Sequence, residues 1–264
     1  MAQFDNRLAQ GGIAVGPAAT FDEALRSYML RVYNYMTGGV ALTGIVAYAI
    51  NQLSTTTNEA EAVGRVGRHL LTPFGAAIYN TPIIWVLIFA PLAFVFFLSF
   101  RIYKMSVASA QLSFWLFSAV MGASISTILL RYTGQSVAQT FFITAASFGA
   151  LSTWGYVTKR DLSGWGTFLI MGVFGLILAS LVNIVYAMDT GHQIEGMRFI
   201  ISLLGVGIFA GLTAYDTQQI KDNFYSVAHN GELMAKSAIM GALNLYLDFI
   251  NMFQYLLSLI GNRD

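Results

Sequence analysis

The chain has 264 residues, of which 56% are hydrophobic and 10% charged, and its mean hydropathy is +0.62. A soluble domain of this length carries roughly 25% charged residues to solvate its surface, so 14 Lys or Arg and 13 Asp or Glu exclude an ordinary water-soluble enzyme. The low charge and high aromatic content exclude disorder. A net charge of +1 leaves no clustered basic surface for nucleic acid, and the lack of cysteine removes disulfides, zinc–thiolate sites and a Cys nucleophile. The expected class is an all-α, polytopic membrane protein whose first partner is the lipid bilayer.

Residues 1–32 are mostly polar or small and lack the short apolar core of a secretory signal. Thr20 and Glu23 fit a capping box, which predicts an amphipathic lead-in helix from about Phe21. Crossing the hydrocarbon core takes about 20 apolar residues, and a helix satisfies its own backbone there. Seven such stretches follow, at residues 33–50, 83–100, 111–130, 137–157, 165–186, 199–219 and 238–260. Residues 33–260 thus read as one seven-helix transmembrane domain, with a short tail at 261–264. The connections are short except for residues 51–82. There Gly64-Arg-Val-Gly-Arg-His69, Pro73 and Pro82 suggest an irregular external loop, a contact surface for a membrane-protein partner. Gly207 and Gly211 form a GxxxG, which points to close helix packing.

Orientation follows from the flanking cations. One side collects Arg7, Arg26, Arg31, Arg101, Lys104, Lys159, Arg160, Lys221 and Lys236, and the other Arg65, Arg68, Arg131, Arg198 and Arg263. Nine against five predicts a cytoplasmic N-terminus and an external C-terminus. Trp85, Trp115, Trp154 and Trp165 fall near span ends, as an interfacial belt requires.

All but two of the charges lie outside the predicted spans. The exceptions are Asp216 in the sixth and Asp248 in the seventh. A carboxylate in hydrocarbon costs a few kcal/mol and persists where it has a partner or lines a cavity. In the seventh span Asn244, Asp248, Asn251, Tyr255 and Ser258 share one helix face, and in the sixth Thr213, Asp216 and Gln219 do the same. These form a polar seam that should face protein or water. Span six reaches the cytosol soon after Asp216, and Asp248 follows about 15 Å into span seven. Arg101 ends span two on the same side. If the two acids meet, both cannot ionise cheaply, and they titrate as a unit. Such a pair can act as a proton-controlled latch biased by Arg101, and its oxygens also suit a divalent cation such as Ca²⁺.

Motifs in order along the chain resemble the Bax inhibitor-1 family, the transmembrane Bax inhibitor motif proteins, in its bacterial branch. They are Lys104-Met-Ser106 with Ala108 and Ala110, Ile143-Thr-Ala-Ala-Ser-Phe148, Gly155-Tyr-Val-Thr-Lys-Arg-Asp-Leu-Ser163, Ala214-Tyr-Asp-Thr-Gln-Gln-Ile-Lys221 and Leu245-Tyr-Leu-Asp-Phe-Ile-Asn251. The resemblance runs from about Leu25 to Gly261. It implies seven helices in the bacterial inner membrane, six of them around a central C-terminal helix. It also implies a pH-dependent calcium leak, with Asp216 and Asp248 as the pH-sensing dyad and Arg101 as the basic residue near it. The 51–82 loop looks long for the compact bacterial members.

Other chemistries lack their residues. A retinal protein needs a lysine in the last span, and there is none. A membrane serine protease needs an embedded Ser–His pair and a zinc hydrolase needs converging histidines, yet His69, His192 and His229 lie in loops. The chain is therefore expected not to be an enzyme and to need no cofactor. The leading expectation is a pH-gated cation leak, with Ca²⁺ as the cation. The alternatives are a non-transporting partner or regulator of a membrane protease or larger complex, and a proton-coupled transporter, which inverted repeats would support.

Overall fold

The computed structural model describes residues 17–192 and 194–263, and among these the chain forms eight α-helices and one small sheet. In order they are α1 (Pro17–Ser54), β1 (Thr55–Thr56), β2 (Gly64–Val66), β3 (His69–Leu71), α2 (Pro73–Tyr79), α3 (Ile83–Arg101), α4 (Val107–Ile125), α5 (Gly134–Val157), α6 (Ser163–Thr190), α7 (Glu195–Val227) and α8 (Gly231–Ile260). Each apolar stretch lies on one of the seven long helices, with α4 prolonged by a 3₁₀ turn over Ser126–Leu130.

Five of these helices (α3, α4, α6, α7 and α8) are long and apolar enough to cross a membrane. In α1 and α5 the apolar residues are interspersed with Gly, Ser and Thr. Thr43, Thr140, Thr144 and Ser152 among them are buried. Contact with other helices, which favours small residues and hydroxyls, explains that composition.

The centre is α8. Of its most apolar stretch 67% is buried, against 11% for α3 and 17% for α6. The helices packed directly on it are α1, α4, α5 and α7, while α3 packs chiefly on α4 and α6 on α7. The expected ring of six is therefore an inner ring of four with two outer helices. The outer pair turns bulky apolar residues outward, such as Phe89, Leu92 and Phe96 on α3 and Phe168, Phe174 and Leu178 on α6.

Side-chain oxygens start several helices by accepting their free N–H groups. Ser106 does so for α4, Thr133 for α5, and Asn230 for α8, where it takes both Glu232 and Leu233 N–H. The expected capping box at Thr20 is not the start of α1. The described chain is already helical at Pro17, so Thr20 lies within α1, and lead-in and first span are one continuous helix. Residues 1–16 lie outside the described residues.

The connection 51–82 is folded, not irregular. β1, β3 and β2 form an antiparallel sheet in that order, with Thr55 opposite Leu71 and Arg65 opposite Leu70. Gly67, at φ 57°, makes the tight turn between β2 and β3. The Thr72 hydroxyl donates to the Leu53 carbonyl at 2.7 Å and accepts Gly75 N–H, fastening the start of α2 to the end of α1. The GxxxG serves packing only at Gly211, where an added Cβ would lie 2.9 Å from Leu169 of α6. At Gly207 it would meet open space.

Candidate functional site

α7 and α8 are joined by a three-residue connection, 228–230, and run antiparallel in a single register. Asn223 Nδ2 donates to Ser237 Oγ at 2.7 Å, and Ser202 Oγ donates to Ser258 Oγ at 2.9 Å. Between these rungs, a Cβ on Gly205 would sit 2.6 Å from the Tyr255 ring. In that register Asp216 is level with Asn244, and Asp248 lies one turn further along α8. The carboxyls of the two aspartates lie within hydrogen-bonding reach of each other. The pair is about 10 Å along α7 from the Asn223 rung and about 21 Å from the Ser202 rung.

Asp248 is buried, and its Oδ2 has no N–H or O–H donor among the described residues. No third acid or histidine joins the two to make a metal-holding group among the described residues. Beside Asp216 a hydroxyl chain crosses three helices: Tyr33 of α1 lies 2.6 Å from Ser152 of α5, which lies 2.8 Å from Thr217 of α7.

The structure does not bring Arg101 to this pair. It is exposed at the last turn of α3, and the charged group acting on each aspartate is the other aspartate. The remaining seam residues divide. Thr213 donates to the Phe209 carbonyl at 2.8 Å and Asn251 to the Leu247 carbonyl at 2.8 Å, each within its own helix. Tyr255 stacks on Phe209 with ring centroids 5.8 Å apart. Gln219 and Asn244 are half-buried.

Two sequence motifs dock on each other just beyond the acids. An added Cβ on Gly155 would strike the Ala214 carbonyl, so only glycine lets α5 approach α7 this closely. Lys221 Nζ donates to the Tyr156 carbonyl at 2.8 Å. Gln218 accepts Leu162 N–H at 2.8 Å and donates to the Arg160 carbonyl at 2.9 Å. One motif thereby fixes the helix that carries Asp216 against the turn between α5 and α6.

Reading the sequence missed Lys236, which counted only as a flanking cation. Its side chain is buried, pairs with Glu232 Oε1 at 2.6 Å and donates to the Tyr103 carbonyl at 3.3 Å. The i,i+4 Glu–Lys spacing was the available signal, but burial could not be read from it.

The chain matches the family described as "Inhibitor of apoptosis-promoting Bax1" over residues 25–264. It belongs to the Bax inhibitor-1 family. Relatives of this Bax inhibitor-1 chain include an uncharacterized protein, RP147, of Rickettsia prowazekii, 44% identical over 92% of this chain and 93% of the relative. An uncharacterized protein of Caulobacter vibrioides is 42% identical over 92% of each. The inner membrane protein YbhL of Escherichia coli K12 is 40% identical over 90% of this chain and 93% of its own. The family match covers both aspartates, the hydroxyl chain and the folded cap between α1 and α3. With its several apolar helices, this Bax inhibitor-1 protein is a membrane protein.

Proposed function

We propose that this protein is a pH-responsive cation leak of the bacterial inner membrane, with Ca²⁺ as the cation and the Asp216–Asp248 pair as the pH-sensing latch. The observation that carries this reading is the meeting of two carboxyls between the central helix and α7, one of them with a buried oxygen that no protein donor reaches. While the pair holds a proton, one carboxyl donates to the other and ties α7 to α8. Once the proton leaves, two like charges face each other in a medium that screens them poorly. A cation entering between them restores the balance, so proton and cation compete for the same oxygens. With two carboxylates and no third, the ion is cargo in transit, since resident Ca²⁺ takes 6–8 oxygens. Arg101 enters this reading as a group that reaches the pair only if α3 moves.

The same reading takes all seven long helices as crossings, with the N-terminus in the cytoplasm and the C-terminus outside. The distribution of Lys and Arg supports it. Ca²⁺ flux from proteoliposomes, followed across the mildly acidic to neutral range, tests the proposal. The wild type should change its rate with pH, and Asp216→Asn and Asp248→Asn should flatten that dependence. If both variants keep the wild-type rate and profile, the latch is wrong.

The folded cap favours a second reading, a non-transporting partner or regulator of a membrane protease or larger complex. Leu53, Val63 and Phe74 are exposed on or beside it. A stoichiometric partner in mild detergent, together with no flux from the purified chain, would select this reading.

A further inference from the structure

At the end of the bundle that carries the C-terminus, α6, α7 and α8 line an open cavity of about 300 Å³. Arg198, near the start of α7, and Arg263, just past α8, both line it, with Asn183, Asn251, Gln254 and Tyr255. No Asp or Glu does. A guanidinium keeps its proton at any physiological pH, so the cavity holds fixed positive charge.

Several of its polar groups are held in place with donors still free. Arg263 is aimed by Tyr132: its Nη2 donates to the phenol oxygen at 3.2 Å, and the guanidinium lies 5.5 Å from the ring centroid. Arg198 has no side-chain hydrogen bond or ion pair among the described residues. Asn183 is 5% exposed, and its Oδ1 accepts the Ile194 N–H at 2.9 Å. That contact fixes the amide and leaves Nδ2 without a protein acceptor among the described residues, free to donate into the cavity. The Tyr255 hydroxyl and the Gln254 amide also lack protein partners among the described residues.

We propose that this cavity binds a phosphate group, either free or at the head of a lipid. Arginine forks match the oxygens of carboxylate and phosphate alike. Two forks with an Asn, a Gln and a Tyr supply more donors than the two oxygens of a carboxylate accept, whereas a phosphate presents three or four. At about 300 Å³ the cavity has room for the phosphate with its nearest substituents or ordered water. The site differs from the aspartate pair in its residues: neither Asp216 nor Asp248 lines it, and on α8 it runs from Asn251, about 4.5 Å along the helix from Asp248, outward past Tyr255 to Arg263. It stands whether or not the protein conducts Ca²⁺.

Thermal unfolding of the full chain in a neutral detergent tests it, titrated in one arm with inorganic phosphate and in the other with short-chain phosphatidylglycerol, against chloride at equal ionic strength. A saturable rise in Tm is expected in at least one arm. A rise with phosphate places free phosphate among the ligands, and a rise with the lipid alone assigns the site to a headgroup. Arg198→Gln should weaken the apparent affinity about tenfold or more, because a charge-assisted bond is lost. Lys159→Gln, outside the cavity, should not. Asn183→Asp, which sets a carboxylate in the cavity, should abolish the rise and covers the case in which Arg198→Gln folds poorly. No saturable rise in either arm, or a rise that survives both cavity variants, overturns the proposal.

Discussion

Tyr246 is fully buried on the central helix, and its hydroxyl lies 2.6 Å from Thr43 Oγ1 of α1, which in turn donates to the Ser118 carbonyl of α4 at 2.9 Å. One hydroxyl thus joins three helices next to Gly122, where an added Cβ would lie 2.6 Å from the Thr43 carbonyl. Removing either partner leaves a buried group unsatisfied, so Thr43→Val and Tyr246→Phe should each destabilise by about 1–2 kcal/mol. Because they share one bond, the double variant should cost clearly less than the sum. Unfolding in SDS–detergent mixtures, followed by circular dichroism, measures all three. Strict additivity would show that the hydroxyls do not act together. Asp216 and Asp248 were legible in the sequence because charge within an apolar run is rare. The Thr43–Tyr246 link was not, since Thr and Tyr are ordinary in such runs and their partners lie far apart in sequence.

At the scale of the element, the turn between α5 and α6 shows how a local carboxylate sets a helix start. Asp161 Oδ1 accepts the Ser163 N–H at 2.8 Å at the first residue of α6. Its hydrogen bonds from Ser163 hold its carboxyl below the usual carboxylate range. The folded value lies under the unfolded one, so the contribution is present above the unfolded value and fades as pH falls through the folded value. Asp161→Ala should therefore lower Tm modestly at neutral pH, with the gap closing in acid below the usual carboxylate range. Thermal melts at several pH values check it, and a gap that stays constant would assign the loss to something other than ionisation. The seven long helices could be read from apolar length because the backbone in lipid has few other solutions. The cap strands, two or three residues each, are too short to carry a period. Apolar length marks only residues 199–219 of α7, and the helix runs on to Val227, beyond its apolar part.

For the molecule as a whole, orientation is the open test, and a chain without cysteine suits it. Single cysteines at Glu61 in the cap and Asn262 after α8 should react with a membrane-impermeant maleimide on intact cells. Glu23→Cys and Ser226→Cys should react only after permeabilisation. The opposite pattern would invert the proposed topology, and labelling of Glu23→Cys and Asn262→Cys from the same side would reduce the crossings to an even number. The two outer helices add a further consequence through their unequal lengths. α3 has 19 residues and α6 has 28, or about 28 Å and 42 Å of rise. Against a hydrocarbon core about 30 Å thick, α3 fits nearly upright, whereas α6 must tilt or project. A change in bilayer thickness therefore acts first on the lean of α6. Because α6 walls the cavity of Arg198 and Asn183, the thickness of the surrounding membrane would reach that cavity by leverage, with no ligand needed to carry the signal.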